Sequence, residues 1–132
     1  MPADRKYSPE SGEVGITLEG AEYTLRPTLD AALTLSRQAG GIRAAITRVL
    51  DLDLDTIISV IRLGIGRAEA KKLKNLDRII WENGLLDSQG ELVLRCVEYL
   101  SNLARGGRPE GSGGGGDGDD SSDDSSDPTT QQ

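Results

Sequence analysis

Asp51, Asp53 and Asp55 alternate along one short stretch, a spacing that in calcium-binding loops lets carboxylate oxygens converge on one ion. The rest of such a loop is missing. Thr56 stands where the sharp turn needs Gly, and Arg62 where a closing Glu would supply two oxygens. Helix capping suits the three aspartates better, because a carboxylate can satisfy the free N–H groups of a helix's first turn. No metal and no cofactor is therefore expected. Gly64-Ile-Gly-Arg lacks the third Gly, the Lys-Ser/Thr pair and the preceding strand of a phosphate-cradling loop, and reads as a helix stop. The basic run Arg67, Lys71, Lys72 and Lys74 has no interleaved aromatics and is offset by Glu69 and Asp77, which suits a solvated helix face better than a grip on phosphates.

Covalent and acid-base chemistry has less support. The chain has no His, its one cysteine, Cys96, sits in an apolar helical stretch without a neighbouring base, and no Ser occupies a nucleophile-elbow context. An enzyme is not expected. The most informative apolar group is Trp81 with Leu85 and Leu86: a Trp near a helix end followed by a Leu pair is either a partner-binding anchor or part of the core.

The elements that must carry these residues fit in one domain, since the chain has 132 residues. Glu13 to Leu25 alternates as two strands, with Val14, Ile16 and Leu18 on one face, Ala21, Tyr23 and Leu25 on one face, and a two-residue turn at Glu19-Gly20. Arg26-Pro27 ends the second strand and Thr28 caps a helix over Leu29 to Ala39, whose inward face is expected to be Leu29, Ala32, Leu33 and Ser36. After Gly40-Gly41 a shorter helix spans Ile42 to Leu50, with Ile42, Ala45, Ile46 and Val49 inward. The apolar run Thr56 to Leu63 reads as the central helix, stopped by Gly64-Ile65-Gly66. Arg67 to Lys74 is helix-compatible and leads into Leu76, Ile79, Ile80 and Trp81, ending at Asn83-Gly84. Asp87 or Ser88 caps a last helix whose stripe is Leu92, Val93, Cys96, Val97, Tyr99, Leu100 and Leu103. The expected fold is α+β and mainly α: a β-hairpin packed on four or five short helices.

Around this domain, residues 12–105, lie a flexible N-terminus, residues 1–11, and a Gly/Ser/Asp-rich acidic tail, residues 106–132. The tail has almost nothing to bury and is expected to be disordered. It carries most of the charge: of a formal net −7 from 15 Lys and Arg against 22 Asp and Glu, −6 falls on the tail. A nearly neutral body and an acidic tail give nucleic acid no long-range attraction, so it is not expected as a partner. No apolar run approaches the ~20 residues of a membrane span, and the polar start, with Pro2 and Pro9, does not read as a signal peptide. A single cysteine suits a reducing cytoplasm. The small aliphatic core, without Phe and with one Trp, leaves room for self-association or a bound partner to complete it.

The order of these elements, with Gly12-Glu-Val opening a hairpin, then Tyr23-Thr-Leu-Arg-Pro-Thr-Leu-Asp-Ala-Ala-Leu, a Gly-Gly break and Ile-rich short helices, resembles the tail assembly chaperones of long-tailed phages and gene transfer agents. The likeness covers about Gly12 to Gly66 and weakens over Arg67 to Ala104. It lies in apolar positions around Leu25-Arg-Pro-Thr-Leu29, and the family brings no catalytic residues with it. The resemblance implies a protein of the bacterial host cytoplasm that binds and solubilises the tape measure protein, helps tail tube subunits assemble on it, and is not expected in the mature virion. A structural tail component, such as a tail tube or tail-completion protein, is the alternative.

Overall fold

The computed structural model describes residues 8–86 and 91–110. The expected flexible start and acidic tail therefore fall mostly outside the described residues, as do Asp87 and Ser88, the proposed caps of the last helix. The architecture is the expected α+β, mainly α one: an antiparallel hairpin followed by helices.

Strand β1 (Val14–Leu18) pairs with β2 (Ala21–Leu25) in the register Val14 to Leu25, Ile16 to Tyr23 and Leu18 to Ala21. Cross-strand partners share a face, so Val14, Ile16, Leu18 and Leu25 all point into the core, where each is buried. Glu19 and Gly20 both take positive φ, 53° and 84°, as a two-residue turn matched to the strands' twist requires.

Six α-helices follow among the described residues: α1 (Leu29–Ala39), α2 (Ile42–Leu50), α3 (Leu54–Ile65), α4 (Arg67–Lys72), α5 (Leu76–Asn83) and α6 (Glu91–Ala104). Helix α1 begins as its sequence implies, with the Ala31 N–H donating to Thr28 Oγ1 at 3.1 Å. Its inward face is not the expected one. Ala31, Leu35 and Ala39 are buried, whereas Leu29 and Leu33 are 75 % and 42 % exposed. Both stripes have helical spacing, and the small side chains of Ala31 and Ala39 let α1 lie close to α2 and α3, which leaves the bulkier stripe outside.

Helix α3 is the centre of the domain. It touches all five other helices and β2, and Ile57, Ile58, Val60, Ile61, Leu63 and Ile65 are buried along it. The expected stop over Gly64-Ile65-Gly66 falls at its last residue. Gly64 is helical, and the chain leaves the helix only at Gly66. Gly64 is needed because β2 crosses there: a Cβ at this position would lie 2.8 Å from Leu25 Cδ2, 2.9 Å from its Cβ and 3.3 Å from its Cα. The Arg26 N–H donates to the Gly64 carbonyl at 2.8 Å, which locks the crossing.

The segment expected to run continuously from Arg67 to Asn83 is two helices. Leu73 is extended, and Asn75 takes the left-handed conformation (φ 63°, ψ 38°) that Asn tolerates better than most residues. The break lets α4 and α5 each pack separately on α3.

Helix α6 packs on α2, α3 and β1 and closes the domain. The expected stripe faces inward, with Leu92, Cys96, Tyr99, Leu100 and Leu103 buried. Two polar groups on it lock the base of the hairpin: the Tyr99 hydroxyl donates to the Arg26 carbonyl at 2.8 Å, and Asn102 Nδ2 donates to the Gly12 carbonyl at 3.0 Å. The ordered turn continues past Arg105, with the Gly107 N–H on the Asn102 carbonyl at 2.8 Å.

Candidate functional site

Asp51, Asp53 and Asp55 do not converge. Asp53 stands at the N-cap position of α3. Its carboxylate accepts the Thr56 hydroxyl at 2.9 Å and faces Arg48 at 3.6 Å. These partners, the Thr56 hydroxyl foremost, hold its pKa below the usual Asp value. Asp51 and Asp55 are exposed. No group of three His, Cys, Asp or Glu side chains able to hold a metal occurs among the described residues. A shallow cleft of about 340 Å³ beside Asp53 is lined by Leu35, Gln38, Arg48, Asp55 and Ser59, with its principal charges already committed to each other.

Cys96 is buried, and desolvation pushes its thiol from 9.0 up to about 12, so the nucleophilic thiolate is not populated near neutral pH. Burial also raises the Tyr99 hydroxyl, which is occupied by the Arg26 carbonyl.

The basic run is divided among separate partners. Arg67 makes a two-pronged pair with Asp30 at 2.9 and 3.2 Å, which lowers the Asp30 pKa, and Lys72 pairs with Glu69 at 3.5 Å. Both pairs are exposed; the first ties α4 to α1 and the second lies within α4, and neither frames a phosphate site.

Trp81, Leu85 and Leu86, whose spacing left open a partner-binding anchor or a place in the core, differ in their exposure. Helix α5 turns Leu76 and Ile80 into the core, and Trp81, about 100° further round, points outward with 65 % of its surface exposed. The helix end is fixed by its neighbours: Asn83 Oδ1 accepts the Glu19 N–H of the hairpin turn at 3.1 Å, and Gly84 (φ 87°) turns the chain away. Beyond Gly84 the Leu pair divides. Leu85 is half-buried against the core and Leu86 is 75 % exposed. Trp81 and Leu86 are therefore displayed within one helix end and one turn, with Leu85 holding that turn to the domain.

Other large apolar residues lie outward: Leu29 and Leu33 on α1, Leu50 at the end of α2 and Leu94 on α6. Sequence spacing placed the α1 pair inward and so missed it as surface. Leu94 lies opposite the buried stripe of α6, which its spacing could have revealed. No helix among the described residues is long and apolar enough to cross a membrane. Family models, curated proteins and solved structures yield no match to this chain.

Proposed function

We propose that the chain is a tail assembly chaperone of a long-tailed phage or phage-like particle, which binds the tape measure protein through the surface around Trp81 and Leu86. The observation that carries the binding surface is the exposure of these two side chains, Trp81 at the end of α5 and Leu86 in the turn that follows it. Tryptophan is the residue type most enriched among energetic anchors of interfaces, and large apolar side chains at a surface favour being covered. Covering both removes on the order of 300 Å² of apolar surface, roughly 7 kcal/mol at ~25 cal/mol per Å² before the costs of association. A repetitive helical partner supplies complementary apolar stripes, so many such contacts can form along one tape measure chain. The tape measure assignment itself rests on the resemblance over Gly12 to Gly66, which the hairpin, Pro27 and α1 to α3 occupy.

The test is co-expression with the tape measure protein encoded beside the gene. The expected result is a soluble tape measure protein that co-purifies with this chain, and absence of this chain from finished particles. A tape measure protein that stays insoluble beside folded chain, with the chain present in particles at fixed copy number, would overturn the reading in favour of a structural tail component.

A further inference from the structure

Helix α1 carries two ridges of four-residue spacing on opposite sides. Ala31, Leu35 and Ala39 form the buried one, and Leu29, Leu33 and Arg37 each lie two positions, about 200° of rotation, from a member of it. The outward ridge is therefore apolar over its first two members and ends in a cation. All three of its side chains are exposed. Residues four apart on a helix are surface neighbours, so Leu29 and Leu33 make one apolar strip that favours being covered.

The charges beside this strip suit a second copy of the same helix. Asp30 and Arg37 are seven residues, or two turns, apart and so share one side of α1. Asp30 accepts from Arg67 through both oxygens and from the Thr34 hydroxyl onto Oδ1 at 3.5 Å. A carboxylate offers about four acceptor positions, so one remains, on Oδ2. Arg37 has no ion-pair partner among the described residues. If two copies of α1 meet antiparallel about a two-fold axis between Leu33 and Thr34, Arg37 of each reaches Asp30 of the other, and the leucine strips meet between the two pairs. The methylene stem of Arg37 then lies over Leu29 of the other copy, and the helix dipoles oppose. A parallel pairing would set Asp30 against Asp30 and Arg37 against Arg37, so the charges select the antiparallel direction.

We propose that the outward ridge of α1 is a self-association surface, on which a second copy of this chain docks antiparallel to form a two-fold dimer. Such closed, self-complementary pairs are the commonest protein oligomers. An 11-residue helix is about 16 Å long, so one helix-on-helix contact stays below the ~800 Å² per partner of a standard interface. The dimer is accordingly concentration-dependent, with a dissociation constant on the order of 0.1 mM. It uses neither Trp81 nor Leu86 and does not rest on what binds there.

The test is sedimentation equilibrium of the full chain from about 1 µM to about 1 mM, a range that brackets this constant. The average mass of the parent should rise from that of a monomer towards twice that value. Leu29→Lys/Leu33→Lys should stay monomeric throughout, and Arg37→Glu, which sets acid against acid, should raise the dissociation constant at least about tenfold. Circular dichroism checks that both variants keep the helix content of the parent. Trp81→Ser/Leu86→Ser should associate as the parent does. A parent still monomeric at the highest concentration, association unchanged in the double Lys variant or in Arg37→Glu, or association lost in Trp81→Ser/Leu86→Ser would overturn the proposal.

Discussion

Gly64→Ala tests the packing of the domain by its sign alone. In an exposed helix interior this change stabilises by about 1 kcal/mol, because Ala loses less backbone entropy than Gly. Here the new methyl meets Leu25 at 2.8 Å from Cδ2 and 2.9 Å from Cβ. The terminal carbon can rotate away, but the Leu25 Cβ moves only with its backbone, which is paired to Val14 on one side and followed by the Arg26 N–H bond to Gly64 itself. Overpacking of this kind costs about 1–3 kcal/mol. The net is a loss of up to about 2 kcal/mol, or a fall in Tm of up to very roughly 15 °C for a domain of this size. Thermal and urea unfolding followed by circular dichroism would measure it. A variant more stable than the parent would refute the account of α3 crossing β2.

Two further outcomes follow from the base of the hairpin and from α6. Asn102→Leu leaves the Gly12 carbonyl without the Nδ2 donor in a site only 2 % exposed, and deprives Arg105 of its acceptor at 2.7 Å; urea midpoints should report a loss of about 1–3 kcal/mol, larger than that of Tyr99→Phe. For pH, burial raises the Cys96 thiol, so the folded chain holds this proton more tightly than the unfolded one. Stability from this group is complete below about pH 9 and declines as pH rises towards about 12, by on the order of 1 kcal/mol per unit; Tyr99 adds a decline of the same sign. Unfolding measured between pH 8 and 11 should show the decline, and Cys96→Ala should make it shallower; an unchanged slope would remove Cys96 as a cause.

The hairpin, the Thr28 cap and α3 were legible because each has a strong local signal: period-two alternation around a turn with Gly, a hydroxyl before an amphipathic run, and an apolar helix with almost no polar face. The face of α1 was not legible, since Leu29-Leu33 and Ala31-Leu35-Ala39 share the same period and only the tertiary approach of α2 and α3 chooses between them. Within the Gly64-Ile65-Gly66 stop the two glycines were not distinguishable for a related reason: one that ends a helix, as Gly66 does, and one that lets a strand cross it, as Gly64 does, look alike until the strand is placed. The α4–α5 break had a signal in Asn75. The locking roles of Tyr99 and Asn102 had none, because their acceptors at Arg26 and Gly12 are 73 and 90 residues away in the chain. Trp81 stood open between core and anchor, and its exposure follows from Ile80 taking the inward position beside it.

The central claim is most directly tested by comparing the parent chain with Trp81→Ser/Leu86→Ser in co-purification with the tape measure protein. Both side chains are largely exposed, so the double variant should unfold within about 0.5–1 kcal/mol of the parent. It should nevertheless lose most of its capacity to keep the tape measure protein soluble. A folded variant that solubilises and retains the tape measure protein as well as the parent would contradict the assignment of this helix end as the binding surface.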